Sequence, residues 1–158
     1  MKFSDQLEAR FAKFQERYPV KRSALVPMLM YAQDETGALT PEVIAEIASR
    51  LDLTVLQVNE VIGYYSMKHR KPLGKYHVQV CTNISCMLTG AYKVWDRAKK
   101  TLGLNHKERS ADGLFSLEEV ECMGACSWAP AVQVNYDFHH FVTPEEIDKI
   151  VADLKNGN

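Results

Sequence analysis

All four cysteines of this 158-residue chain fall in two short-spaced pairs. Cys81-Thr82-Asn83-Ile84-Ser85-Cys86 reads C-x4-C, and Cys122-Met123-Gly124-Ala125-Cys126 reads C-x3-C, with 35 residues between the pairs. No cysteine is left over, so the pattern points to one site with four soft ligands. Whatever fold the chain adopts must bring two distant loops to one place.

The totals narrow what such a site can serve. With 46% hydrophobic and 25% charged residues the chain has the composition of a globular protein. Its formal net charge is −1, from 19 basic and 20 acidic residues, with no basic stripe to attract nucleic acid. No apolar run approaches the ~20 residues of a membrane span, so direct membrane insertion is not expected. The segment Met1-Lys2-Phe3-Ser4-Asp5-Gln6 lacks the apolar core of a secretory signal. The expected compartment is a reducing cytoplasm, where metal-binding or redox cysteines are favoured over structural disulfides.

Hydrophobic period divides the chain. Phe3, Leu7, Phe11 and Phe14 recur at helical spacing, with Ser4 as cap and Tyr18-Pro19 as stop. A second helix is expected from about Ala24 to before Gly37, with Pro27 in its first turn; Met28 and Met30 read as core filler. Thr40-Pro41-Glu42 opens a third helix and Thr54-Val55-Leu56-Gln57, a capping-box pattern, a fourth carrying Val58, Val61, Ile62 and Tyr65 on one face. The basic stretch Lys68 to Lys75, with Pro72 and Gly74, reads as a solvated linker. Beyond it Tyr76 to Val80 alternates like a strand. Cys86 to about Leu102 reads as one helix, with Leu88, Tyr92 and Trp95 available to pack. Leu114–Glu121, Ala131–Asn135 and a short hairpin partner within 136–142 read as further strands. Asp112-Gly113 is a turn, and Thr143-Pro144-Glu145-Glu146 caps a last helix. The expected fold class is α+β, a helical bundle (residues 1–70) followed by a compact α/β domain (residues 71–158).

Each cysteine pair begins where a strand ends. Ser85 is the expected helix N-cap, placing Cys86 in a first turn, where backbone N–H groups favour a thiolate. Gly124 lets the second loop turn tightly. Neither loop carries Asp or Glu between its cysteines, which suits a centre that is already negative. Disulfides, unligated thiols, a single zinc ion and a two-iron, two-sulfide cluster all remain open on spacing. Zinc sites commonly use tighter C-x2-C turns, whereas C-x4-C is an element of two-iron clusters. Met123 and Ala125 are expected to exclude water; Thr82, Asn83, Ser85 and the loop amides are the available donors to sulfur. Other residues admit plainer readings. His139-His140 lies in a hairpin with no third ligand nearby and reads as surface, His69 and His106 as solvated, and His77 as facing a helix. Trp95 reads as packing, while Trp128, two residues after Cys126, either shields the site or anchors a partner. No Ser/His/Asp arrangement, phosphate loop or dinucleotide fingerprint is present.

Several segments together resemble the NuoE-type subunits of respiratory NADH–quinone oxidoreductase (complex I). They are Cys81-x4-Cys86 with Gly90, Asp112-Gly113-Leu114-Phe115, Val120-Glu121-Cys122-Met123-Gly124-Ala125-Cys126, Ala129-Pro130 and Val134-Asn135. In the helical part Val61-Ile62-Gly63-Tyr64-Tyr65 and Pro72-Leu73-Gly74-Lys75 are similar to that family's segments. Met123 stands where leucine is usual, Tyr64 where phenylalanine is usual, and Tyr136 where an acidic residue often follows the asparagine. The resemblance implies a thioredoxin-like domain whose [2Fe–2S] cluster is held by Cys81, Cys86, Cys122 and Cys126. It implies electron transfer with no substrate site on this chain. FMN and NADH would lie on a neighbouring NuoF-type subunit with a NuoG-type iron–sulfur subunit adjacent, at the cytoplasmic face of the inner membrane. Homologous subunits of soluble NAD(P)-linked hydrogenases or formate dehydrogenases share the pattern, and a zinc-stabilised adaptor is the rival of another class. Thioredoxin-like folds often carry a cis-proline at the place of Pro130; a trans bond is expected here, because the family's site is not a redox disulfide.

Overall fold

The structure is a computed structural model, described over residues 2–157. The chain parts into two compact units between Pro72 and Leu73.

The first unit is helical. α1 (Asp5–Arg17) is capped by Ser4, whose hydroxyl accepts from Leu7 N–H, and ends at Tyr18. A single 3-10 turn, Lys21–Ala24, leads into α2 (Leu25–Thr36), which stops at the left-handed Gly37. α3 (Pro41–Arg50) starts on the Thr40 cap, and α4 (Val55–Tyr64) on the Thr54–Gln57 capping box. Phe3, Leu7, Phe11, Met28, Leu29, Ile47 and Val58 form one buried cluster with their neighbours. Its edge is tied by Arg50, which donates to Glu8 at 2.5 and 2.8 Å and to Glu46 at 2.8 Å while lying over the Phe3 and Phe11 rings.

Three expectations fail in this unit. Met30 is exposed, on the far side of α2 from Met28. Tyr65 lies past the end of α4 as its C-cap and is solvent-facing. The basic stretch is not uniformly solvated, because Lys68 is buried. Its segment is fastened to the bundle: the Gln33 side chain donates to Met67 O and accepts from His69 N–H, and His69 O accepts from Leu39 N–H. Burial lowers the Lys68 pKa, and the nearby Asp34 charge opposes that shift.

The second unit is a five-stranded sheet of order β2-β3-β1-β4-β5. β1 (Tyr76–Cys81) runs parallel to β3 (Phe115–Val120) and antiparallel to β4 (Val132–Val134), which pairs in turn with β5 (Asp137–His139). The two-residue β2 (Glu108–Arg109) pairs antiparallel with β3; it is too short to leave a periodic signal and was not anticipated. Between β1 and β3 lie α5 (Ile84–Leu88) and α6 (Ala91–Leu102), and α7 (Pro144–Lys155) closes the chain on its Thr143 capping box. α6 and α7 pack together, and Val78, Val80, Trp95, Leu117, Val132, Ile147 and Val151 belong to their common core with the sheet.

The single helix expected from Cys86 to Leu102 is two helices. Gly90 takes φ +100°, which breaks the hydrogen-bond ladder and redirects the chain, leaving Leu88 and Tyr92 exposed. The Ala129–Pro130 bond is cis, against the trans expectation. His77 is buried within the sheet among polar partners, with Nδ1 2.8 Å from Ser116 Oγ and Nε2 3.1 Å from Glu118 Oε2, which also accepts from Gln79 at 3.1 Å.

Candidate metal centre

Strand direction decides where the sulfurs go. β1 and β3 are parallel and pair with Cys81 opposite Val120. Both therefore end at the same edge of the sheet, and the 35 residues between the cysteine pairs are absorbed by the α5–α6 crossover and β2. Thr82 N–H donates to Val120 O at 3.1 Å and Cys81 N–H to Ala131 O at 3.1 Å, so three segments meet at this edge. Cys81 is the last residue of β1, Cys86 lies in the first turn of α5, Cys122 follows β3 by two residues, and Cys126 begins the 3-10 turn Cys126–Trp128.

No disulfide joins any of the four cysteines. Cys81 and Cys86 are buried in a small cluster with Ala91, Ala125 and Ala131, against which Val120, Met123 and Ala129 pack. Cys122 and Cys126 are exposed. Burial pushes the Cys86 thiol up to about 11; a hydrogen bond from Ala131 N–H opposes this, and the neighbouring Cys81 and Cys126 sulfurs add to it. Cys81, Cys86 and Cys126 are thus close enough to influence one another. Among the described residues no three His, Cys, Asp or Glu side chains close round a single metal ion.

Backbone donors already face sulfur. Gly124 N–H lies 3.4 Å from Cys122 Sγ, and Ala131 N–H is directed at Cys86. Gly124 takes φ +77°, a conformation that lets the loop double back on Cys122. The helix cap is Asn83, not Ser85: Asn83 Oδ1 accepts from Ile84 N–H at 2.6 Å. Both types cap helices, and position alone did not separate them. Thr82 is committed to Glu119 at 2.8 Å, which removes it from the donors free to face sulfur. Two features had no sequence signal: the Ala131 amide, which reaches Cys86 only through the β1–β4 pairing, and the His77–Glu118 contact, because Ser116 and Glu118 alternate with Phe115 and Leu117 as a solvent-facing edge would. Two other histidines of this unit have partners of their own. His140 stacks on Trp128 at 5.0 Å, and His106 Nδ1 accepts from Glu119 N–H at 3.0 Å.

A β–α–β unit with parallel strands, extended by an antiparallel pair and a final helix, is a thioredoxin-like fold. Cysteine pairs that follow the ends of β1 and β3 are soft donors of the kind that hold zinc or iron–sulfur centres. Residues 11–155 match the family model of thioredoxin-like [2Fe–2S] ferredoxins, and the chain belongs to that family. Its relatives include NADH-quinone oxidoreductase subunit 2 of Thermus thermophilus, 41% identical over 154 residues, covering 97% of this chain and 84% of that one. The E 2 subunit of the NADH-quinone oxidoreductase of Rhizobium meliloti is 37% identical over 155 residues, covering 98% and 90%. The corresponding E-type subunit of Mycobacterium tuberculosis is 41% identical over 140 residues, or 89% of this chain, which spans only 56% of that longer relative. Among solved structures, an NAD+-reducing [NiFe]-hydrogenase superposes with a TM-score of 0.71 over 85% of this chain and 23% of its own, at 16% identity, a likeness of fold.

The cofactor is a [2Fe–2S] cluster. The residues present fit it: four cysteines, none in a disulfide, flank one sheet edge, with no carboxylate between the members of either pair and with the Gly124 amide hydrogen aimed at Cys122. When bound, the cluster supplies one-electron chemistry.

Proposed function

We propose that the chain is the electron-transfer subunit of an NADH-quinone oxidoreductase, and that Cys81, Cys86, Cys122 and Cys126 are the cluster ligands. The observation that supports the ligand set is the parallel register, by which β1 ends at Cys81 and β3 ends two residues before Cys122 at the same edge. The subunit assignment is supported by relatives at 37–41% identity that bear that name and match nearly end to end in two cases. The proposed neighbours are a NuoF-type subunit binding FMN and NADH and a NuoG-type iron–sulfur subunit. The proposed location is peripheral, on the cytoplasmic face of the inner membrane. Among the described residues no helix is long and apolar enough to cross a membrane. We read residues 1–70 and 71–158 as separate domains, a helical bundle and the ferredoxin domain.

In this reading the chain binds no organic substrate. Cys81 and Cys86 hold the buried side of the site, and Cys122 and Cys126 the open side. Ala125 and Met123 keep water from the Cys81 and Cys86 sulfurs, the Gly124 amide stabilises negative charge on Cys122, and the Ala131 amide does so on Cys86. A one-electron carrier beside a two-electron flavin can hold the odd electron.

The test is purification from the native host. Co-purifying quinone-reductase subunits, with a reddish-brown colour and a rhombic paramagnetic signal on reduction, support the assignment. Hydrogenase or formate dehydrogenase subunits would reassign the complex. Stoichiometric zinc without acid-labile sulfide would remove the electron-transfer role. Single Cys→Ser variants test the ligand set, each expected to lose or alter the visible spectrum.

A further inference from the structure

Among the described residues one acidic side chain is buried: Glu118, at 4% exposure. Every other described Asp and Glu keeps contact with solvent. Glu118 lies on the same face of the sheet as Cys81. His77 and Gln79, both bonded to it, alternate along β1 with Val78 and Val80, which belong to the core shared with α6 and α7. Cys81 has the parity of His77 and Gln79. Gln79 pairs with Glu118 and Cys81 with Val120, so Glu118 stands one same-face step behind the sulfur edge. At ordinary strand spacings its Cα is roughly 8 Å from that of Cys81. The hydrogen bonds around it settle where the protons go. Gly74 N–H donates to Ser116 Oγ, which leaves the Ser116 hydroxyl hydrogen for His77 Nδ1, 2.8 Å away. A ring that accepts at Nδ1 is neutral and carries its hydrogen on Nε2, 3.1 Å from Glu118 Oε2. Gln79 donates to the same oxygen at 3.1 Å, and Lys107 Nζ lies 3.9 Å from Oε1 on a side chain that is 69% exposed. Donors facing both oxygens hold Glu118 as a carboxylate, and a neutral imidazole brings no positive charge to it.

We propose that Glu118 is a potential-setting residue: its buried negative charge opposes the arrival of an electron at the Cys81 edge. This rests on the ligand set proposed above and deepens it. An added electron brings one negative charge, and like charges repel far more strongly across protein than across water. Burial also spares Glu118 the screening that surface charges undergo. Glu121, next to Cys122 in the chain, is exposed, and water and salt weaken its field. His77 and Ser116 act through Glu118, as positioning residues that keep the carboxylate ionised and the imidazole neutral.

The test is a redox titration of the full chain carrying its cluster, wild type and with Glu118→Gln and Glu118→Asp, each compared first by visible spectrum. At the wild-type midpoint, where oxidised and reduced forms are equal, Glu118→Gln is expected to raise the reduced-to-oxidised ratio about threefold to tenfold. Glu118→Asp keeps the charge and is expected to stay within about twofold of wild type, and the offset of Glu118→Gln is expected to persist from about 0.05 to 0.5 M salt. A ratio that Glu118→Gln leaves unchanged or lowers, an equal rise in both variants, or an offset that salt removes would overturn the inference and leave the ligand set standing. If Glu118→Gln does not keep the cluster, the nitrogen-15 spectrum of the oxidised wild-type chain decides. A neutral His77 ring with its hydrogen on Nε2 supports the inference, and a doubly protonated ring at neutral pH overturns it. A wild-type chain that takes up zinc and shows no redox titration would overturn the ligand reading and this inference together.

Discussion

Substitution of Gly124 separates backbone geometry from crowding at the sulfur edge. Gly124 sits at φ +77°, and a Cβ built on it would meet nothing within 4 Å. Only the left-handed conformation itself then opposes a side chain, at roughly 1–2 kcal/mol for an ordinary L-residue. Gly124→Ala also stiffens the unfolded chain, which offsets ~0.4–1 kcal/mol. The net loss is therefore about 1 kcal/mol for Ala, less for Asn, which tolerates this region, and more for β-branched Val. The loop can respond in two ways. It can hold its shape, in which case stability falls in the order Gly, Asn, Ala, Val. Or it can rotate, in which case the Gly124 amide leaves Cys122 Sγ, now 3.4 Å away, and the cluster loses a donor that stabilises its reduced form. Cluster release to a chelator, followed by visible absorbance, reads the first response; about 1 kcal/mol corresponds to about fivefold. A redox titration reads the second, as a lower potential. If Asn, Ala and Val all match wild type in both assays, the loop does not hold this conformation and the assignment of the amide to Cys122 is wrong.

Met123→Gln is expected to raise the reduction potential, because Met123 packs against the Cys81–Cys86 cluster and a polar replacement admits dipoles or water that stabilise added negative charge; a titration that leaves the midpoint where it was counts against this. Arg50→Ala removes three charge-assisted bonds at a site whose side chains are only about a quarter exposed and is expected to cost about 2 kcal/mol, lowering the melting temperature by ~4–8 °C in calorimetry. The hydrogen bonds from Arg97, then Thr101, hold the Asp148 carboxyl down to about 2. A depressed carboxyl stabilises the fold above its unfolded pKa of ~3.9 and loses that contribution as pH falls toward 2; thermal melts should therefore decline across that window, and Arg97→Gln should flatten the decline.

What could be read from the chain was what is local. Ser4, Thr40, Thr54 and Thr143 all cap the helices their sequence contexts announce, because a cap is satisfied within four residues. The strand ends before Cys81 and Cys122 were legible from alternation for the same reason. What needed the third dimension was missed. Gly90 looks like any helix-interior glycine until its left-handed turn is seen. Lys68 reads as solvated because nothing in its neighbours reveals that Gln33, far upstream, fastens Met67 and His69 on either side of it. His77 and Glu118 are polar residues on alternating strands, and only pairing in register makes them partners.

That register links the far end of β1 to the sulfurs. A slip of one residue between β1 and β3 would turn Cys81 to the opposite face and part it from Cys86 and Cys126. The contacts that forbid the slip lie at the start of β1, on both of its neighbours. On one side Gly74 approaches so closely that a Cβ would fall 2.3 Å from the Phe115 carbonyl carbon, and its N–H donates to Ser116 Oγ at 3.0 Å. On the other, Asn135, left-handed at φ +54°, accepts from His77 N–H through Oδ1 at 2.9 Å and donates from Nδ2 to Lys75 O at 3.1 Å. The His77 ring then ties β1 to Ser116 and Glu118 on β3 from within. At ~3.3 Å per residue the six residues of β1 carry that alignment about 20 Å to Cys81. Gly74, Lys75 and Asn135, none of them a cysteine, therefore belong to the alignment of the sulfur edge as much as the loops do.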